Sequence, residues 1–579
     1  MRPADRLRNH RTTWLLAGLT AALLSATASA QVPPGAERRG DVSPRFERPG
    51  DVRPELPEFE TPEEVPEIVL PPVPPPREKE RLSAAPRLFV RGYRFTGNSA
   101  FTDEELAEIA APFANREISS ADLEAVRVAL TRRYVDAGYL NSGAVIPDQQ
   151  PADGVIEIGI VEGRLESIEI EGNRYFRSGY LRRRIALAGE PPLNVRSLEE
   201  RLQLLQQDPR IHRIAAELGP GALRGEAKLR LRVEEELPYR VWLELSNHEP
   251  PSIGAERARI GLEHQNLTGN GDRLSAIFSA TEGLWEVSAS YELPITARDT
   301  RLRFYYRRSD YEVEEDPFDE LDIEGESRTY GIGVSHPLYR SRNTTFTLGL
   351  DGEYRRSKTF IDGRPFSFSA GVQDGVSKIA VLRFSQEWTY RDAIQVLAAR
   401  SLFSWGLDAF GATVNSGRVP DGQYLAWLGQ LQWVRRLPLG IETVFRFDIQ
   451  LSSDPLLPLE QFALGGHATV RGYRENQLVR DMGGAVSLEA RIPILRADDG
   501  WPILQLAPFV DFGRSVNRRR GVTPHPRNLA GVGVGLRWSI TRRIHFQASW
   551  AEELRHVTEP DDRDLQDTGV QFRLLVDFF

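Results

Sequence analysis

The sequence predicts a transmembrane β-barrel of about sixteen antiparallel strands, preceded by two repeated α+β modules. Three observations support this fold class. The first 30 residues have the pattern of an export signal. Residues 87–235 contain an internal repeat with a period of 75 residues. Residues 236–579 consist of short segments in which apolar and polar side chains alternate, and no apolar run after the signal is long enough for a membrane helix.

Residues 1–30 are predicted to be a signal peptide. Four arginines precede the apolar stretch Trp14–Ala26, and the small residues Ala28–Ala30 fit the rule for cleavage. Residues 31–86 are rich in proline and acidic side chains. A segment of this composition buries too little apolar area to fold by itself, so we expect an extended, semi-rigid linker.

Residues 87–162 and 163–235 are predicted to be two copies of one α+β module. Each copy begins with a short alternating strand that ends in the pattern GN-x-x-F and continues with helical periodicity. In the second copy, Ser197 and Glu200 have the spacing of a helix N-cap. Both copies end in strand-like segments, which gives the order strand–helix–helix–strand–strand.

Residues 236–579 are predicted to form the barrel. Sixteen alternating segments can be counted, and an even number is expected for a single-chain barrel. Along Leu504–Phe512, one face carries Val510 and Phe512 while the other carries Gln505 and Asp511. A soluble sandwich or propeller is the alternative, but soluble sheets rarely combine so many apolar outer faces with charged inner ones. A closed barrel leaves no unpaired backbone in the hydrocarbon.

Composition argues against several classes of function. The chain has no cysteine, which excludes disulfides and thiolate metal sites. Its net charge is −9 and it has no basic patch, so we expect no nucleic-acid partner. The motifs G-x-S-x-G and H-E-x-x-H and any nucleotide-binding motif are missing from the sequence, and its nine histidines are scattered. We therefore expect neither an enzyme nor a bound cofactor or metal ion.

The most specific signal is a pair of motifs in the last third of the barrel. The first, FALGGHATVRGY, lies in a loop predicted at about residues 453–482, and the second, FVDFG, lies on a strand. The motif residues are Gly465, Gly466, Val470, Arg471, Gly472 and Tyr473 in the loop and Phe509, Asp511 and Gly513 on the strand. An arginine in a loop and a single carboxylate in an apolar strand predict a bidentate pair between Arg471 and Asp511.

Taken in order, the signal, the two modules, the sixteen-strand region and the VRGY and FxDxG motifs resemble the transporter component of two-partner secretion, the TpsB family. The resemblance covers almost all of the mature chain. It implies that the modules are POTRA domains in the periplasm and that the barrel lies in the outer membrane of a double-membrane bacterium. It also implies that the loop after the eleventh strand folds into the lumen, where Arg471 pairs with Asp511.

The resemblance further implies an activity and its partners. The POTRA domains would receive an unfolded exoprotein with an N-terminal secretion domain, and the barrel would secrete it without nucleotide hydrolysis. Clients of such transporters include adhesins, cytolysins and haem- or iron-related proteins. Outer-membrane lipid and the barrel-assembly machinery are further partners. That machinery reads a C-terminal aromatic residue on the outer face. Here the apolar face ends at Phe578, and Phe579 is shifted by one position.

Alternatives remain open at this stage. Members of the family often carry an N-terminal plug helix, but residues 31–82 hold too many prolines for a long helix, so the plug is either short or missing. The loop could be a gate or a brace for the wall. The main alternative function is a barrel-assembly insertase, which shares the loop motif but generally carries more POTRA domains. A passive porin would need no module pair.

Overall fold

The computed structural model describes residues 48–59, 67–69, 87–150, 152–316, 318–417, 419–518, 523–557 and 564–579, with only the backbone at 67–69. All of these residues belong to one compact unit, Gly40–Phe579. The predicted signal peptide lies outside the described residues. No helix within the described ranges is long and apolar enough to cross a membrane.

The first described strand, β1 (Glu67–Val69), joins the sheet of the second module, and the first module follows it in the chain. The elements of the first module are β2 (Leu88–Val90), β3 (Gly92–Thr96), α1 (Asp103–Ala110), β4 (Arg116–Ile118), α2 (Ser120–Asp136), β5 (Gly143–Val145) and β6 (Val155–Val161). Strands β3, β6 and β5 form its sheet in that order. Leu106, Leu130, Tyr134 and Ile158 are completely buried, so the core lies between the helices and this sheet.

The second module repeats this architecture with a larger sheet. Its elements are β7 (Arg164–Glu171), α3 (Ser178–Ile185), α4 (Val195–Gln206), β8 (Ile211–Pro220) and β9 (Glu226–Glu235), and the sheet order is β1-β8-β9-β7. The predicted cap at Ser197 is wrong. Helix α4 begins one turn earlier because the Asn194 side chain accepts a hydrogen bond from the N–H of Arg196.

Within the described part of the chain, sixteen antiparallel strands close into a barrel, as predicted. In chain order, the strands of this region are β10 (Tyr239–Ser246), β11 (Arg257–His264), β12 (Arg273–Ala280), β13 (Leu284–Pro294), β14 (Arg301–Glu312), β15 (Ile323–Arg340), β16 (Thr344–Ile361), β17 (Arg364–Pro365), β18 (Val376–Arg391), β19 (Gln395–Leu407), β20 (Leu425–Arg436), β21 (Glu442–Ser452), β22 (Phe462–Leu464), β23 (Leu478–Arg480), β24 (Met482–Arg496), β25 (Pro502–Val516), β26 (Asn528–Thr541), β27 (Ile544–Glu553) and β28 (Val570–Asp577). The small strand β17 pairs with the end of β16, and β22 pairs with β23. The other sixteen form the wall, which closes where β10 pairs with β28 over five residue pairs.

The faces of the wall strands alternate as the sequence predicts. On β25, Phe509 and Asp511 are 4% and 1% exposed, whereas Val510 and Phe512 are both 47% exposed. Charged side chains on the inner face pair across strands, as Arg573 does with Glu244 at 2.7 Å. This is the pattern of a barrel with an apolar outer band and a polar interior.

Residues 48–59 lie against the inner wall of the barrel. The side chain of Gln432 donates to the carbonyl of Pro54 at 2.9 Å, and Phe59 is 4% exposed in a cluster with Val434 and Val444. The predicted extended linker, which would bury too little apolar area to fold by itself, therefore does not fully describe this stretch, because distant wall strands supply its apolar partners. Its helical structure is the single turn Pro49–Asp51. The residues before 48, where a longer plug would lie, are outside the described range.

The C-terminus lies beside the barrel closure. Strand β28 ends at Asp577, and the N–H of Phe578 donates to the carbonyl of Val241 at 2.8 Å. Phe578 is 36% exposed and Phe579 is 67% exposed.

Candidate functional site

The connection between β21 and β24, residues 453–481, enters the barrel, and we call it the lumen loop. Its strands β22 and β23 form a small hairpin. The hairpin reverses at Gly465 and Gly466, whose φ angles of +109° and +97° suit glycine. A Cβ atom on Gly465 would lie 2.6 Å from the side chain of Gln477. The glycine pair therefore allows the chain to turn back within the confined lumen.

Arg471 is held on the inner wall by three side chains. Its Nε and Nη2 donate to the two carboxylate oxygens of Asp511 at 2.8 and 3.0 Å, and its backbone N–H donates to the same group at 3.1 Å. Nη1 donates to Glu489 at 2.6 Å, and Nη2 also reaches Ser487 at 3.2 Å. We call these four residues the Arg471 cluster. The fork geometry of a guanidinium on a carboxylate fixes direction as well as distance.

Phe509, the aromatic residue of the FVDFG motif, also contacts Arg471. The guanidinium carbon of Arg471 lies 3.3 Å from the ring centroid of Phe509, within the range of a cation–π contact. Phe509 and Asp511 have the same parity on β25, so both point into the lumen. Alternation on one strand thus supplies both contacts.

The remaining motif residues pack the loop tightly onto the wall. Val470 is completely buried with Leu464 in an apolar cluster. Gly472 has a φ of +94°, and a Cβ atom on Gly513 would lie 2.3 Å from a methyl carbon of Leu464. The hydroxyl of Tyr473 donates to the carbonyl of Ala530 at 2.9 Å. The structure therefore brings all of the predicted motif residues to one place.

A second ion-pair cluster, which was not predicted from the sequence, holds the first part of the lumen loop, before β22. Glu460 is 1% exposed and accepts from Arg383 at 2.8 Å and from Arg355 at 2.9 Å. These arginines come from β18 and β16, whereas the Arg471 cluster uses β24 and β25. The loop is therefore attached to two separate parts of the wall and crosses the lumen between them.

The tip of the loop also contacts the barrel closure, at the end opposite the modules. The N–H of Glu475 donates to Gln566, just before β28, at 2.8 Å. The Gln566 side chain in turn donates to the carbonyl of Asn247, just after β10, at 2.8 Å. The ring of His467 stacks on that of His248 with their centroids 3.7 Å apart. One buried amide thus joins the loop tip to both sides of the closure.

The N-terminal segment reaches the same loop. A single Nη of Arg53 lies 2.5 Å from the Asp448 carboxylate on β21 and 2.5 Å from the carbonyl of Ala468 in the loop. Arg400 on β19 donates to the carbonyl of Val52 at 3.2 Å. Residues 48–59 and the lumen loop therefore occupy the barrel interior together and are directly connected.

Three residues that hold the lumen loop were not predicted, and the sequence contains a signal for only one of them. Glu489 is inward-facing on β24, so strand parity could have identified it as a second carboxylate for Arg471. Glu460 lies in an irregular loop and Arg53 in a proline-rich segment, and no periodicity marks either residue. Only the closed barrel brings their partners close.

The arrangement is suited to holding a loop in place. Its arginines and carboxylates are paired with one another, which fixes geometry where water is partly excluded. Among the described residues, no group of three or more histidine, aspartate or glutamate side chains is placed to hold a metal ion.

Two family models match this chain. The model described as "Haemolysin secretion/activation protein ShlB/FhaC/HecB" matches residues 225–538, and the model described as "POTRA domain, ShlB-type" matches residues 88–163. The first match covers more than half of the chain and the second falls on the first α+β module.

Individual proteins are similar over most of their length. Outer membrane transporter CdiB of Escherichia coli O6:K15:H31 is 25% identical over 459 residues, which cover 76% of this chain and 74% of CdiB. Heme/hemopexin transporter protein HuxB of Haemophilus influenzae (strain 86-028NP) is 20% identical over 480 residues, covering 80% and 83% of the two chains. The solved structure of CdiB from Escherichia coli superposes with a TM-score of 0.65 at 22% identity, covering 86% of this chain and 92% of CdiB, which shows a shared fold.

Proposed function

The chain belongs to the haemolysin secretion/activation family ShlB/FhaC/HecB, and on that premise we propose that it secretes one unfolded exoprotein by two-partner (type V) secretion. Its barrel lies in the outer membrane and its POTRA domains lie in the periplasm. Transporters of this family act together with a secreted exoprotein. Family membership favours secretion over the barrel-assembly insertase that the loop motif alone would also allow.

One observation carries the proposal beyond the family assignment. Two polypeptide segments, residues 48–59 and the lumen loop, lie inside the barrel, and side-chain contacts attach both to the wall. Such contacts can break and reform without unpairing any wall strand. A pore that is obstructed by removable segments suits the passage of a polypeptide, whereas a passive porin needs an open lumen.

We assign Arg471 and Asp511 the role of holding the lumen loop in its resting position. Removing one partner from a buried pair costs about 3–5 kcal/mol, because the other charge is left without compensation. The second attachment through Glu460 means that the loop acts first as a brace between two parts of the wall. Opening then requires release of the loop from these attachments and from its contacts at the barrel closure.

The POTRA domains would receive the client by strand addition. An extended segment can pair with a free sheet edge through main-chain hydrogen bonds, which depend little on side-chain identity. Strand β1 already pairs with β8 in this way, in parallel and over three residue pairs. The edge of β8 therefore accepts an extended strand within this same chain.

No nucleotide is needed in this scheme, and we do not propose an enzymatic activity. Folding of the client outside the cell prevents its return and gives direction to transport. The client would be a large exported protein with an N-terminal secretion domain, of the adhesin, cytolysin or haem- and iron-related type.

We propose that the barrel-assembly machinery reads the C-terminal pair Phe578 and Phe579, which are both exposed.

The proposal is tested by comparing the proteins of the culture supernatant and cell surface with and without this gene. We expect one large exported protein to disappear while other barrels are unchanged. The same protein should be reduced in Arg471→Ala and Asp511→Ala strains, with barrel levels verified by immunoblot. Arg364→Ala, at an exposed hairpin turn, is the matched control. A broad loss of outer-membrane barrels would instead support the insertase.

A further inference from the structure

A small cleft, partly open to solvent, lies between the second POTRA domain and the periplasmic rim of the barrel, and we call it the cavity. Helices α3 and α4 form one side of it, and the ends of β14 and β15 with the turn before β14 form the other. Its charged lining residues are Arg184, Arg201, Arg301, Arg340, Asp208 and Asp299. Four cations thus face two anions in a space that neither domain fills.

The ion pairs around the cavity leave positive charge over. Arg184 donates to Asp299 at 2.6 Å, and Arg340 pairs with the same carboxylate. Arg301 is neutralised by Glu292 at 2.5 Å. Asp208 is likewise neutralised, by Arg210 at 2.5 Å. Because Asp299 is shared and Arg201 forms no ion pair within the described ranges, the cavity carries an excess of two positive charges.

Arg201 has the surroundings of a ligand for an anion. It is half-buried on α4, and burial followed by the positive charge of Arg340 lowers its pKa from the usual arginine value, although the carboxylates of Asp299 and Glu200 act in the opposite direction. Arginine stays charged in proteins, so the repulsion is not relieved by loss of a proton. An anion placed between the two guanidiniums relieves it directly.

The location points to phosphate chemistry. Ile295, Leu338 and Tyr339 are more than half exposed at the same rim. Tyr339 is in register with Phe346 on the neighbouring strand, so both side chains point to the outer face of the barrel. An outward apolar belt beside an inward arginine cavity matches the boundary between acyl chains and phosphate headgroups.

We propose that this cavity binds a phosphate group through Arg201 and Arg340, carried either by an anionic phospholipid or by inorganic phosphate. Guanidinium groups bind phosphate oxygens in the same bidentate manner as carboxylates. Arg184 keeps its ion pair with Asp299 and so holds α3 against the rim of the barrel. A phosphate bound there bridges the POTRA domain and the barrel, and it stabilises their relative orientation. This proposal does not depend on the proposed secretion function.

The test uses the purified full chain in nanodiscs of phosphatidylcholine, with or without phosphatidylglycerol, and native mass spectrometry of the retained lipid. We expect phosphatidylglycerol to be retained by the wild type. Arg201→Gln removes one charge-assisted contact and should weaken retention roughly tenfold. Arg201→Lys keeps the charge and should retain most of the affinity. Arg224→Gln, an exposed arginine of the same domain, is the matched control and should behave as wild type.

Two further measurements make the outcome decisive. Addition of inorganic phosphate distinguishes the sources, because it displaces the adduct only if free phosphate binds the cavity comparably well. Thermal unfolding of each variant shows whether its fold is intact. If Arg201→Gln fails to fold, the same comparison is made with Arg340→Gln, which removes the other proposed phosphate contact and should also weaken retention. Equal retention of lipid and phosphate by a folded Arg201→Gln variant and by wild type would overturn the proposal.

Discussion

The guanidinium of Arg471 donates four hydrogen bonds to three side chains while its carbon lies 3.3 Å from the Phe509 ring centroid. This number and direction of donors is specific to arginine, because a lysine ammonium is a point charge on a flexible stem. The same positive charge with the wrong geometry should therefore not be sufficient.

Arg471→Lys should loosen the lumen loop although the charge is kept. The bidentate contact to Asp511 becomes a single contact and the Ser487 contact is lost, so the loop should lose about 1–3 kcal/mol of local stability. Hydrogen exchange of residues 462–480 in the purified protein measures this directly. Arg364→Lys is the matched control. Wild-type protection of the loop in Arg471→Lys would show that charge alone holds it.

A carboxylate at the end of the last strand stabilises the GN-x-x-F loop in each α+β module. Glu162 accepts from the N–H groups of Ser99 and Ala100 at 2.6 and 2.8 Å. Glu235 accepts from the N–H of Tyr175 at 2.5 Å in the second copy. Burial alone would raise the pKa of Glu162, but the hydrogen bonds from Ser99 and Ala100 outweigh it and hold the pKa below its usual value.

Glu162→Gln should destabilise the first POTRA domain at neutral pH and have little effect in acid. Because the folded-state pKa is depressed, the stabilisation is present above the unfolded value of about 4.3 and is lost as pH falls through the folded value. We expect about 1 kcal/mol at pH 7 after solvent screening. Calorimetric unfolding of both proteins at pH 7 and pH 3 measures it, with the exposed Glu117→Gln as control. A difference that persists unchanged at pH 3 would contradict this mechanism.

At this scale the sequence could predict only part of the site. Arg471 and Asp511 could be predicted because each breaks a local pattern. Arg471 is an arginine in a glycine-rich loop, and Asp511 is an acid in an apolar strand. Glu460 breaks no pattern, since acidic residues are ordinary in loops, and its burial arises only when the barrel places Arg355 and Arg383 beside it.

Among the elements, β1 has an unusual position. It pairs in parallel with β8 through Glu67–Ala215, Ile68–Ala216 and Val69–Glu217, and so covers an edge that the sheet of the second module would otherwise expose. Three residue pairs form a weak contact that a longer extended segment can replace. A client that adds to the β8 edge must therefore compete with the transporter's own strand.

Ile68→Pro should increase the binding of an extended client to the POTRA domains. Proline removes the backbone donor at the centre of β1 and disfavours its pairing with β8. Crosslinking of the secretion domain to β8, in wild type and variant, measures the competition. Leu223→Pro, in the exposed turn between β8 and β9, is the control for a proline elsewhere on the sheet. Reduced crosslinking in Ile68→Pro would mean that β1 assists the client.

The wall strands were predictable because apolar and polar residues alternate within each segment of the sequence. Odd and even positions of a strand then point to opposite faces of the wall. Residues 48–59 were not predictable in the same way. Their composition is that of an unfolded linker, yet Phe59 is buried because Val434 and Val444 of the wall supply its core. The composition of a segment indicates how much apolar area it can bury by itself. It does not indicate which apolar partners a distant part of the barrel supplies.

For the whole molecule, the closed wall and its contents have different kinds of stability. Continuous hydrogen-bonded pairing closes the wall, whereas a small number of side-chain contacts hold the interior segments. Arg53 connects the two interior segments, because it touches both Asp448 on the wall and Ala468 in the loop. Movement of one segment should therefore loosen the other while the wall stays intact.

Deletion of residues 48–59 should raise the single-channel conductance of the purified protein in planar bilayers, because an ordered segment leaves the lumen and the loop loses its contact at Ala468. Arg53→Ala should act more weakly and increase the frequency of openings, since it breaks both contacts and leaves the segment in place. Arg364→Ala should behave as wild type. Loop and segment are coupled only if Arg53→Ala also reduces hydrogen-exchange protection around Ala468. Unchanged protection there, together with higher conductance in the deletion, would mean that the two segments obstruct the pore independently and that the connection through Arg53 has no role in opening.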